Sequence, residues 1–152
     1  MRIVLQRVSR ASVRVDGDVA GSIGAGLLLL GGVEPDDESL DLGRVAARVC
    51  ELRIFADDAG RMNRSLEDVD GELLLVSQFT LCADTHKGRR PGFDGAATPE
   101  VARAVIDRLV AAFRDRGRPP EVGVFGARMD VELTNDGPVT FLLDLAPPGG
   151  VR

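Results

Sequence analysis

In the stretch "GELLLVSQFTLCAD", the residues Leu73 to Val76 are apolar on both sides that a strand would present, because successive side chains point to opposite faces. Such a strand belongs inside a sheet that is covered above and below. "GLLLLGGV" (Gly26 to Val33) has the same character and is far shorter than the ~20 residues a membrane span needs. Two stripes at helical spacing can supply the cover. Leu42, Val45, Ala46, Val49 and Leu52 form the first, with Asp36, Asp37 and Glu38 expected near the positive end of its dipole. Ala102, Val105, Ile106, Leu109 and Phe113 form the second, opened by Thr98 as cap and Pro99 in the first turn, and closed by Gly117.

The remainder reads as strands. Arg2 to Val15 is β-rich, and Asp16-Gly17-Asp18 offers hairpin chemistry. "RMDVELTNDGPVTFLLDL" is expected to form two strands about an Asp-Gly turn. No regular strand-helix alternation, GxGxxG motif or long internal repeat occurs. The expected fold is α+β, a mixed or antiparallel, barrel-like sheet with two main helices packed on it. One domain is expected over residues 1–145, followed by a proline-rich tail over 146–152.

Inventory narrows the chemistry. With 44% hydrophobic and 28% charged residues the chain reads as globular. "MRIVLQRVSR" lacks the continuous apolar core of a signal peptide, so a cytoplasmic location without membrane association is expected. A formal net charge of −5 argues against coating nucleic acid by bulk attraction. His86, the single histidine, stands among cations in "DTHKGRRPGF" and makes a poor partner for a Ser-His-Asp triad. Cys50 and Cys82 are far apart, without CxxC spacing, so neither a disulfide framework nor a zinc site is suggested, and no metal or cofactor is expected. The carboxylates of "DDESLD", "DDAG" and "EDVDGE" read as turns and solvated faces.

Against that background the polar residues Ser77, Gln78 and Thr80 stand out at the end of a core strand. Period-two geometry would put Gln78, Thr80 and Cys82 on the face of Leu74, and Ser77 and Phe79 on the other. An unpaired buried hydroxyl or amide costs on the order of 1 to 3 kcal/mol, so these groups must pair internally or reach a wet cleft. They mark either a bend where the strand leaves the core or the lip of a site. "TNDGPVTF" is open in the same way: a plain turn, or a tip made rigid by Pro138.

Taken with "QRVSRASV", "IGAGLLLLGGVE", "RIFADDAGRMN", "KGRRPGF" and "FGARMDVEL", the motifs "VSQFTLCADT" and "NDGPVTF" make the chain resemble the D-aminoacyl-tRNA deacylases from Met1 to Leu145. Arg64 and Gly92 depart from the residues common at those positions. The resemblance implies a homodimeric editing hydrolase that cleaves the ester joining a D-amino acid, or glycine, to the 3′-terminal adenosine of tRNA. It further implies that Gly137 and Pro138 form a cis element inserted into the partner subunit's site, excluding L side chains, with Arg7 as its anchor. Ser77 to Thr80 would line the ester, the amides of Phe79 and Thr80 serving as oxyanion donors and Gln78 as a positioning group. Phe125 and Met129 would lie near the adenosine. Lys87, Arg89 and Arg90 are candidates for contact with RNA phosphates. The family is thought to use the substrate's own 2′-hydroxyl, which fits a chain poor in acid-base side chains. That same scarcity supports a rival reading, an oligomeric small-molecule-binding module without catalysis.

Overall fold

A computed structural model describes residues 1–86 and 88–147. Strand β1 (Arg2–Val15) turns through Asp16 and Gly17, both at positive φ (51° and 90°), into its antiparallel partner β2 (Asp18–Ile23). An Asp-Gly pair suits such a tight hairpin because the second position tolerates the left-handed backbone at little cost. β3 (Gly26–Gly32) returns antiparallel to the first half of β1. A 3-10 turn (Pro35–Ser39), α1 (Leu42–Glu51) and a small hairpin of β4 (Phe55–Ala56) and β5 (Met62–Arg64) follow. Then come β6 (Glu72–Ser77), a 3-10 turn (Phe79–Cys82), α2 (Pro99–Asp115), β7 (Glu121–Val122) and β8 (Asp130–Asp144).

The main sheet runs β2-β1-β3-β6-β7, with β8 along the other edge of β1. The β3-β6 and β6-β7 pairs are parallel and the others antiparallel, so the sheet is mixed. Contacts of β2 with β6 and β7 bring the sheet nearly to closure, giving an α+β, barrel-like architecture with two helices. β6 is covered on both sides, as its composition requires. Leu74 and Val76 join Val8, Val13 and Leu28 in one core, whereas Leu73 and Leu75 join Leu29, Leu109 and Phe113 in another beneath the helices. Each such side chain contributes roughly 1.5 to 3 kcal/mol through burial.

Both helical stripes form helices. In α2, the Thr98 hydroxyl accepts from the Val101 amide, Pro99 occupies the first turn, and Gly117 (φ 74°) follows its end. α1 starts later than the acidic run suggests. Asp41 caps it by accepting from the Arg44 amide, while Asp36, Asp37 and Glu38 belong to the separate 3-10 turn. Asp37 is not a solvated carboxylate: it is fully buried, 2.5 Å from the Met1 amino group. Sequence spacing gave no sign of that pairing because the partner lies 36 residues away.

The expected hairpin about Gly137 is replaced by one strand. Both halves of β8 pair with β1, Asn135 opposite Val8 and Thr140 opposite Gln6. Between those pairs β1 has only Arg7, whereas β8 has Asp136, Gly137, Pro138 and Val139, so this segment bulges from the ladder. The length of β1 decides the matter, since one 14-residue edge can receive both halves. Proline, lacking a donor, is accommodated in the bulge instead of the ladder. The Gly137-Pro138 peptide bond is cis.

Candidate functional site

β6 does not continue to Cys82. It ends at Ser77, and Gln78 (φ −142°, ψ 78°) redirects the chain into the 3-10 turn Phe79–Cys82. The Gln78 amide still bonds the Gly31 carbonyl, 2.7 Å away, and the Leu81 amide bonds the Gln78 carbonyl. Phe79 and Thr80 open the turn, and their amides have no hydrogen-bond acceptor among the described residues. Gly32 permits this arrangement. A Cβ there would lie 2.9 Å from Leu81 Cβ and 3.0 Å from the Gln78 carbonyl oxygen.

The turn borders a cleft of about 440 Å³ between the end of β6, the start of α2 and the loop before β8. Ser77, Gln78 and Phe79 form one wall, and Phe125, Gly126, Ala127 and Met129 another. Ala96, Ala97, Pro99, Ala102 and Ile106 line the side toward α2. No lining residue carries a charge or a titratable side chain. Such a wall leaves main-chain groups and the Ser77 and Gln78 side chains as its polar chemistry. Phe79 is 57% exposed and meets Phe93 at the rim, with ring centroids 5.1 Å apart.

Five of the sequence-derived residues, Ser77, Gln78, Phe79, Phe125 and Met129, therefore share one cleft. Thr80 stands just outside it, where its hydroxyl accepts from the Gln78 side-chain amide. Arg7, Gly137 and Pro138 do not line this cleft. Arg7 instead bonds the carbonyls of Asp136 and Ile54 and lies 3.2 Å from the Asp136 carboxylate, tying the bulge to β1 and to the segment after α1. Asn135 closes the bulge, accepting from the Val139 amide (2.7 Å) and donating to the Val139 carbonyl (3.1 Å). Gly137 and Pro138 are exposed at its tip.

His86 is 92% exposed; its backbone amide donates to the Asp84 carboxylate (2.9 Å) and its Nδ1 lies 2.9 Å from the same oxygen, and these two contacts hold the Asp84 carboxyl below its ordinary range. Burial pushes the Cys50 thiol up to about 11 and raises that of Cys82, so both are protonated near neutrality. Among the described residues no group of three or more histidine, cysteine or acidic side chains could hold a metal ion. Arg89 and Arg90 are exposed, and Lys87 lies outside the described residues. No helix among the described residues is long and apolar enough to cross a membrane.

Sequence reasoning missed the contribution of α2. Ala102 and Ile106 read as core, yet both also face the cleft. Arg103, unremarked in the sequence, places its guanidinium 4.6 Å from the centroid of the Phe125 ring. The contact joins residues 22 positions apart, and no local pattern announces it.

Residues 4–144 match the family model described as D-Tyr-tRNA(Tyr) deacylase. A D-aminoacyl-tRNA deacylase from Thermomicrobium roseum is 57% identical over 146 residues, covering 96% of this chain and 95% of its own length. Another from Deinococcus radiodurans is 54% identical, covering 95% of this chain and all of its own. Among solved structures, one titled c-Myc DNA Unwinding Element Binding Protein superposes with a TM-score of 0.90 at 38% identity, covering 96% of this chain and 99% of its own.

Proposed function

The chain belongs to the D-Tyr-tRNA(Tyr) deacylase family, and we propose that its cleft hydrolyses the ester joining a D-amino acid, or glycine, to the 3′-terminal adenosine of tRNA. One observation carries the reading. Two consecutive main-chain amides without acceptors among the described residues open a turn beside a cleft lined by no titratable side chain. Aminoacyl ester hydrolysis needs stabilisation of a transient oxyanion, and fixed amides supply it without a proton acceptor on the protein. Removing one such donor in other hydrolases costs roughly 2.7 to 4 kcal/mol.

In this mechanism water, oriented by the substrate's 2′-hydroxyl, attacks the carbonyl carbon. The carbonyl oxygen takes up negative charge and accepts from the amides of Phe79 and Thr80. The bond to the 3′ oxygen then breaks, that oxygen receives the proton given up by the water, and free amino acid and tRNA result. Gln78, held by its bond to Thr80, positions the ester, and Ser77 lines its path. Phe125 and Met129 border the adenosine. Bringing water and ester together lowers the entropic part of the barrier.

Selection against L substrates is assigned to Gly137 and Pro138 of a second copy, whose main chain would occupy the space of an L side chain and hold the substrate amine. The exposure of this tip, its absence from the cleft's own lining and its ties to Arg7 and Asn135 support that role. Leu133, Phe141 and Leu142 of β8 are exposed (38%, 38% and 63%) and give the second copy an apolar surface. Arg89, Arg90 and Lys87 are assigned to the tRNA backbone.

The test follows ester loss from D-tyrosyl-tRNA and L-tyrosyl-tRNA, with and without protein. Accelerated loss confined to the D substrate is expected. Equal loss of both would sink the chirality assignment, and no loss beyond that in buffer would favour a non-catalytic binding module.

A further inference from the structure

We propose that Arg103 is a substrate-binding residue that contacts a backbone phosphate of the tRNA 3′ end, a role that rests on the deacylase reading of the cleft. The cleft is uncharged, so a nucleotide chain leaving it finds no cation in its walls. Arg103 supplies one just behind the wall, with its guanidinium 4.6 Å from the centroid of the Phe125 ring that lines the cleft.

One local feature argues against a purely structural purpose. Glu100 and Asp107 lie three positions before and four after Arg103 on α2, spacings at which helix side chains meet. Yet the Arg103 side chain forms no ion pair or hydrogen bond with either, or with any other described residue, and it rests on the aromatic ring instead. Seated over Phe125, the guanidinium keeps its N–H donors without a partner among the described residues, and a guanidinium with free donors suits bidentate phosphate recognition.

Arg103 differs in this from several other arginines. Arg7, Arg61, Arg64, Arg116 and Arg118 are each committed to a carboxylate.

The experiment compares D-tyrosyl-tRNA with 3′-D-tyrosyl-adenosine, which has the ester and the base but no phosphate. For Arg103→Ala, KM on the tRNA substrate should rise about tenfold with kcat nearly unchanged. Values on the nucleoside should match those of the unaltered protein. The dependence of log(kcat/KM) on log salt should become shallower by about 0.7 for the one phosphate lost. Arg103→Lys should recover part of the KM and the salt slope. Arg48→Ala, which removes an equal charge from the exposed side of α1, should change nothing. Equal damage to both substrates would mean that Arg103 merely holds Phe125 in place, and no effect on either would remove the residue from recognition. Failure of the unaltered protein to hydrolyse either D substrate would instead overturn the deacylase reading itself.

Discussion

Arg7 donates through Nε to the main-chain oxygen of Asp136, 2.9 Å away, from a β1 position that has no paired residue in β8. Its side chain takes the place of a ladder bond at the point where β8 leaves the sheet. One residue thus anchors a four-residue bulge to a rigid strand. Arg7→Ala removes this bond, the Asp136 ion pair and the bond to Ile54. Stability measured by urea unfolding should fall by about 1 to 3 kcal/mol. On the role proposed for the tip, deacylation should lose at least about tenfold in kcat/KM, because a loosened tip would no longer orient substrate. An Arg7→Ala protein with unaltered rate would disconnect the bulge from function.

Main-chain and side-chain roles at the turn can be separated. Gly32→Ala would push its new Cβ against Leu81 and the Gln78 carbonyl and so shift the amides of Phe79 and Thr80. A fall of about 100-fold or more in kcat is expected, comparable with deleting an oxyanion donor elsewhere. Thr80→Ala keeps both amides and loses the hydroxyl that accepts from Gln78, so its kcat should fall by less than about tenfold. Complete inactivation by Thr80→Ala would assign the chemistry to the hydroxyl.

Leu142 is 63% exposed on β8, so a charge there costs the isolated subunit little. On the proposed dimer, Leu142→Glu should keep its circular dichroism spectrum but sediment as a monomer, and its melting temperature should fall only by what association contributes. If the tip of one subunit completes the cleft of another, this monomer hydrolyses no D-aminoacyl-tRNA. A fully active monomer would confine the site to one chain.

Alkaline pH should destabilise the fold through Cys50. Desolvation holds its folded-state pKa at about 11, partly opposed by the Arg116 guanidinium, against an ordinary value of 9.0. Between these values the unfolded thiol ionises while the folded one keeps its proton. Stability from this group is therefore fully present below pH 9 and is lost as pH rises toward 11. The chain has no tyrosine, so few other groups titrate there. Urea unfolding at pH 8 and pH 10.5 should show a smaller difference for Cys50→Ala than for the unaltered protein.

By itself the sequence determined what local chemistry dictates. Apolar periodicity set the core faces of α1 and α2, Thr98 and Pro99 opened α2, and Asp16-Gly17 made the first hairpin. Runs apolar on both faces required β6 to lie between two cores, and the family resemblance carried by the "SQFT" and "FGARM" motifs pointed to Ser77, Gln78, Phe79, Phe125 and Met129, which the cleft contains. Only the tertiary structure decided whether an Asp-Gly pair turns the chain or bulges from a ladder, because that depends on the reach of β1, more than a hundred residues away. Long-range contact likewise decided the burial of Asp37 against the Met1 amine, the turn that leaves two amides free at the end of β6, and the seat of Arg103 on Phe125. Backbone preference acts over a few neighbours, whereas charge pairing, steric fit and the choice of strand partner depend on what folding brings alongside.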